Sequence, residues 1–136
     1  MKTNRLFLLL LLTGSVVTGC KKHDCTPSTA LEGRWKQAEV IAGQPFLGFE
    51  VDCKDAEGQV TNVSANAYRF VIGDIVWKDI TPETSGIYDA NVLIRTTNGT
   101  SRYERWKIAV LAGGTQLAFT KPGNATDVYQ RWVKMD

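Results

Sequence analysis

Tyr103-Glu104-Arg105-Trp106-Lys107-Ile108-Ala109-Val110-Leu111 is the stretch whose reading decides the fold. Trp106, Ile108 and Val110 fall on one face of an extended chain, and Arg105 and Lys107 on the other, the period-two alternation of a half-buried strand. Gly113-Gly114 then marks a turn, and Gln116 to Thr120 returns with Leu117 and Phe119 on one face. Upstream, Asn98-Gly99 is a favoured hairpin dipeptide because both positions of a two-residue turn need positive φ. It joins Asn91–Thr97 to Arg102–Leu111. In that register Thr97 faces Thr100 and Arg95 faces Arg102, and like charges directly opposed are destabilising. A bound anion, an acidic neighbour such as Asp89 or Glu104, or a bulged turn that shifts the register would each resolve the conflict.

The same pattern extends in both directions. Tyr68, Phe70 and Ile72 alternate along a strand before Gly73-Asp74, and Ile75 and Trp77 follow it. Tyr129 to Met135 forms a closing strand after the Pro122-Gly123-Asn124 turn, and Glu32–Ala42 and Phe46–Asp52 supply two strands at the front. Roughly seven to nine short strands, joined by hairpins and without crossover helices, predict an all-β antiparallel meander. It closes into a barrel of about eight strands or, alternatively, packs as a β-sandwich.

The N-terminal residues follow another logic. Lys2 and Arg5 precede an unbroken apolar run from Leu6 to Leu12, too short to span a bilayer and typical of a secretory signal. Val17-Thr18-Gly19-Cys20 then resembles the bacterial lipobox, an aliphatic residue and two small ones before an obligatory cysteine. The resemblance implies a diacylglyceryl thioether on Cys20, cleavage of the Gly19–Cys20 bond and acylation (palmitate or similar) of the new amine. Two or three acyl chains bury enough methylenes, at about 0.8 kcal/mol each, to hold a protein on a membrane. Residues 1–19 are thus read as a cleaved signal peptide, 20–30 as a lipidated tether and 31–136 as the folded domain. Lys21 rather than an aspartate after Cys20 favours the outer membrane of a bacterial envelope.

Removing the signal changes the charge. Of the sixteen Lys and Arg residues, Lys2 and Arg5 leave with it, so fourteen remain against fourteen acidic residues. A neutral domain lacks the basic excess that nucleic-acid binding needs. Cys25 and Cys53 remain once Cys20 carries lipid, and an even pair in an exported protein points to a disulfide. Closing a loop of about 29 residues would contribute roughly 3–4 kcal/mol in the chain-entropy model. Two free thiols are the alternative.

Leu31-Glu32-Gly33-Arg34-Trp35 resembles the Gly-x-Trp signature that opens the first strand of the lipocalin superfamily. In that family a basic residue near the last strand packs over the tryptophan, and the resemblance assigns this role to Arg131 in Tyr129-Gln130-Arg131-Trp132. The whole arrangement is similar to the lipocalin-like lipoproteins of Gram-negative envelopes. It implies a barrel floor built by Trp35 and Arg131. The strand aromatics Trp35, Tyr68, Phe70, Trp77 and Trp106, facing inward, are core by default or line a pocket for a small apolar or amphipathic ligand; facing outward they would stack on sugars or a protein partner. The chain is shorter than a full lipocalin, and a small eight-stranded barrel can instead be packed with side chains.

The single histidine, His23, lies in the tether. The domain therefore holds no histidine-based triad, zinc site or haem ligand. Asp52, Asp55 and Glu57 gather in a Gly58-containing loop, read as a solvated acidic turn rather than a cation site, the EF-hand spacing being absent. No catalytic activity, cofactor or metal is expected. A protein-interaction role, as an envelope-complex subunit or hydrolase inhibitor, is the alternative to ligand binding. Ser85-Gly86-Ile87-Tyr88 resembles the motif of lipoprotein lysozyme inhibitors.

Overall fold

Eight strands follow one another in the computed structural model: Gly33–Gln37 (β1), Phe49–Lys54 (β2), Glu57–Val63 (β3), Ile75–Thr84 (β4), Ile87–Arg95 (β5), Ser101–Leu111 (β6), Gln116–Thr120 (β7) and Val128–Lys134 (β8). It describes residues 30–38, 41, 47–64, 69–96, 98–124 and 126–136. Cys20, Cys25 and Tyr68 lie outside the described residues. Each strand pairs antiparallel with the next, and β8 pairs back onto β1, so the meander closes into a barrel. Closure decides against the sandwich. The one helical piece among the described residues is a 3₁₀ turn, Ala112–Gly114, between β6 and β7.

The β6–β7 hairpin runs as its alternation predicts, with Ile108 opposite Phe119 and Val110 opposite Leu117. The β5–β6 hairpin does not. Arg95 lies opposite Ser101 and Ile94 opposite Arg102, because the connection spans residues 96–100 and is closed by Thr96 N–Thr100 O and Gly99 N–Thr96 O bonds. The longer turn shifts the register and separates the two arginines. Arg95 pairs with Asp74 at 2.9 Å and Arg102 with Glu104 at 2.6 Å.

Three segments depart from the sequence expectations. Residues 69–74 form a turn and not a strand: Arg69 takes φ 56°, Phe70 is buried, and Ile72 is exposed. Gly58 lies inside β3, not in an acidic loop, and the β2–β3 turn is the two-residue Asp55-Ala56, both with positive φ. Strand β4 continues through Pro82 to Thr84, with Asp79 at φ 52° interrupting its register against β5. A second register shift, against β3, leaves Val76 as an extra residue between Ile75 and Trp77, and with the two irregularities Val76, Trp77 and Ile80 are all buried. Beyond Ile80, β4 has register partners only on β5. A proline there withholds an N–H from an edge that would otherwise invite further strands.

Inward positions fill the barrel with rings. Trp77 packs edge-on to Trp132 at 5.1 Å and tilts against Phe119 at 5.0 Å, while Phe49 joins Trp132 to Phe70 at 5.6 and 4.8 Å. Trp35, Trp77, Trp132 and Phe119 are fully buried. An indole N–H taken from water must find an acceptor. Trp35 donates to Leu31 O at 2.8 Å and Trp132 to Gln130 Oε1 at 3.2 Å. The buried Gln37 accepts from Leu47 N at 2.8 Å.

Candidate functional site

Strand direction gives the barrel two unlike ends. β1 starts and β8 finishes at one end, the floor; β1, β3, β5 and β7 finish at the other, the mouth. At the floor, Gly33 takes φ +121°, a backbone conformation glycine adopts without penalty. Trp35 stands fully buried above it. The cation over its ring is Lys134, Nζ at 5.6 Å from the centroid. The expected floor pair of Trp35 and Arg131 is therefore corrected to Trp35 and Lys134. Buried Gln130 and Trp132 put the even positions of β8 inward, so Arg131 lies on the opposite face while Lys134 falls opposite Trp35.

Cys53 is a buried, free thiol near this floor, opposite Gly33. The structure thus holds no bond from Cys53 to Cys25, which lies outside the described residues. Burial, and then the nearby Asp52 and Glu32, push the Cys53 thiol up to about 12. A thiolate is the reactive form, so this sulfur is inert where it stands.

Of the expected pocket-lining aromatics, Trp35, Phe70 and Trp77 are spent on the core. Trp106 differs. It points inward from β6 on the mouth side, and its N–H donates to Glu104 Oε2 at 3.1 Å. Glu104, two residues earlier, shares the inward face and accepts from Arg102 Nε and Nη2 at 2.9 and 2.6 Å. The β7–β8 register slips between Phe119 and Thr120, leaving Tyr129 with no opposite residue. Its ring stands 5.7 Å from that of Trp106. Lys121, the first residue after β7, lays Nζ over both rings, 5.3 Å from Trp106 and 4.6 Å from Tyr129. Burial pushes the Glu104 carboxyl up, but the Arg102 and Trp106 hydrogen bonds and the charges of Lys121 and Arg102 bring it below its ordinary value. The cluster is an ionised carboxylate beside two ring faces, with two cations at hand.

Sequence reasoning placed Trp106 here but missed Glu104, Lys121 and Tyr129. The signal for Glu104 was available, since it precedes Trp106 by two on the same strand. Tyr129 depends on a register slip that no sequence pattern announced.

A second feature lies on the 64–74 connection. Arg95 Nη1 holds Asp74 Oδ2 at 2.9 Å and the Arg69 carbonyl at 2.7 Å, and Val71 N donates to Asp74 Oδ2 at 3.0 Å. The guanidinium also covers the Phe70 ring at 4.8 Å. This well-tied turn presents Val71 and Ile72 to solvent, 59% and 68% exposed. Elsewhere, Ser85-Gly86 is the β4–β5 turn and Tyr88 is buried, so that tyrosine is not offered to a partner. Asp52, Asp55 and Glu57 make no metal-ligating group of three, nor do any other described residues.

No protein-family model, curated protein or solved structure matched this chain.

Proposed function

We propose that the protein is a membrane-anchored lipoprotein, lipidated on Cys20, whose lipocalin-like barrel is a non-enzymatic binding domain for a small amphipathic ligand. The lipobox supports the anchor and a place in the bacterial envelope, at the outer membrane. The cluster at the mouth carries the binding reading. Glu104, Trp106, Lys121 and Tyr129 bring ring faces and charges together towards the mouth, Trp106 buried and the other three partly exposed, the mix that fixes and orients small ligands. Because the interior is occupied by rings, the ligand sits in the mouth rather than deep in the barrel. A non-catalytic role agrees with a Cys53 thiol pushed up to about 12 and with a sole histidine outside the domain.

Native mass spectrometry of the full-length protein, released gently from membranes, tests this. An adduct of repeatable mass that is lost in Trp106→Ala is expected. A bare chain from several preparations would sink the reading.

The Val71–Ile72 tip favours a second reading, an envelope-protein partner instead of a small molecule. Preorganised, exposed aliphatics are what a partner's apolar pocket takes up. A photo-cross-linker at Ile72 in intact cells separates the two. One dominant protein adduct supports a partner, and none removes it.

A further inference from the structure

We propose that the mouth cluster is a seat for an organic ammonium group, and that Lys121 is its resident stand-in. The inference rests on the mouth being the ligand site and names the headgroup it takes.

A cation is recognised by ring faces, whose quadrupole is negative, and by a carboxylate held nearby. Trp106 and Tyr129 supply two such faces, 5.7 Å apart and inclined at 53°. Glu104, fixed by its bonds to the Trp106 indole and the Arg102 guanidinium, offsets that guanidinium, so the rings do not face an unbalanced positive charge. The seat already holds a cation, the ammonium of Lys121.

The occupant is weakly held. Among the described residues the Lys121 ammonium makes no hydrogen bond or ion pair, and Glu104 lies outside salt-bridge range of it. Only ring faces and the field of the carboxylate retain it. Lys121 is followed by the Pro122-Gly123 turn, and its flexible stem can carry the ammonium into water without moving a strand. A methylated ammonium has few or no N–H groups to satisfy, so it loses less on leaving water for the two rings than the Lys121 ammonium does. Once Lys121 swings out, Arg102 and Glu104 remain as a neutral pair, and an incoming cation meets no net repulsion.

The four tryptophans give the experiment its readout, because each contributes one indole N–H signal in a nitrogen-15 spectrum. The full-length protein in a non-ionic detergent is titrated with choline chloride, against sodium chloride and sodium sulfate at matched ionic strength. The Trp106 signal, identified by its loss in Trp106→Phe, should move saturably with choline, leaving the other three in place. Lys121→Met keeps the apolar stem and removes the competitor, and choline should then bind about three- to tenfold more tightly. Glu104→Gln should weaken it by a similar factor. The three remaining indole signals report that each variant is folded. No saturable movement in either the parent or Lys121→Met overturns the proposal, as does sulfate moving the Trp106 signal in a Lys121-dependent way. A neutral or acidic molecule found on Trp106 by native mass spectrometry overturns the ammonium assignment alone, and ligand binding itself stands.

Discussion

Replacing Gly58 by alanine would put a methyl group where the barrel has no room for one. A Cβ there would lie 2.6 Å from Trp77 Cε3, 2.9 Å from Trp77 Cδ2 and 2.9 Å from Val51 Cγ1. Carbon atoms pack at about 3.5–4.0 Å, so each neighbour must retreat by roughly 1 Å. Neither yields easily: Val51 is fully buried, and Trp77 is braced by Trp132 at 5.1 Å and Phe119 at 5.0 Å. Overpacking of this kind costs about 1–3 kcal/mol. Against it stands a gain of about 0.4–1 kcal/mol, because alanine stiffens the unfolded chain. The net expectation for Gly58→Ala is a loss of about 1–2 kcal/mol, or a fall in Tm on the order of 5–15 °C for a domain near 100 residues. Denaturant unfolding should show a lower midpoint at unchanged m-value. The cause can be isolated by adding Trp77→Phe, which thins the obstructing ring; the pair should couple by on the order of 1 kcal/mol. Gly73 provides the contrast. A Cβ there meets nothing within 4 Å, but φ is +97°, so Gly73→Ala should cost stability through backbone strain and be additive with Trp77→Phe. A Gly58→Ala protein as stable as the parent, or additivity with Trp77→Phe, would refute the reasoning.

Three further outcomes follow from the same geometry. Arg95→Met removes the partner of Asp74 and the support of the Arg69 carbonyl, so it should destabilise the barrel by about 1–3 kcal/mol; proteolysis at residues 69–74 should speed up, and unchanged cleavage there would count against the tied turn. Lys134→Met should alter the Trp35 indole environment in near-ultraviolet circular dichroism, whereas Arg131→Gln should leave it as it was; the reverse result would restore Arg131 to the floor. The Cys53 thiol, raised from about 9 to about 12 in the folded chain, contributes stability that is complete below pH 9 and is lost as the pH rises towards 12, with a limiting slope of about 1.4 kcal/mol per pH unit. Cys53→Ala should flatten that alkaline slope, and iodoacetamide should label Cys53 only after unfolding; rapid labelling of the native protein would contradict its burial.

What the chain disclosed and what it concealed follow from which neighbours set each residue's role. The β6–β7 hairpin was legible because Trp106, Ile108 and Val110 alternate against Leu117 and Phe119, a pattern both strands carry within themselves. Strand β3 was not. Its inward slot at position 58 holds a glycine because Trp77 of β4 fills the space, and a glycine beside Asp55 and Glu57 reads as a turn. Residues 68–72 misled in the opposite way. Phe70 and Ile72 imitate alternation, while the Arg95–Asp74 pair folds the segment back into a turn. That Lys134 and not Arg131 stands by Trp35 was legible, since Trp132 faces inward and parity places position 134 with it and position 131 opposite. Asn98-Gly99 located its hairpin correctly but not the register, because the connection runs over five residues instead of two.

The unlike ends of the barrel bear on where a ligand would come from. Leu31, the first core residue among the described residues, is buried at the floor, where β1 begins. A lipid on Cys20 would hold that end near the membrane through a tether of eleven residues at most about 40 Å long. β6, also eleven residues, extends roughly 37 Å at strand rise, so the fully stretched tether barely matches the length of one strand. With such an anchor the floor would be the end held nearer the bilayer, and the mouth, with Glu104, Trp106, Lys121 and Tyr129, would point away from it or along it. A headgroup taken up there would then arrive from the aqueous side or from a facing membrane, not by rising out of the lipid beneath the anchor. Lengthening the tether by about 15 flexible residues tests this directly. If uptake is from the aqueous side, occupancy of the mouth in cells should be unchanged. A rise in occupancy with tether length would show that the mouth must bend back to its own membrane to be filled.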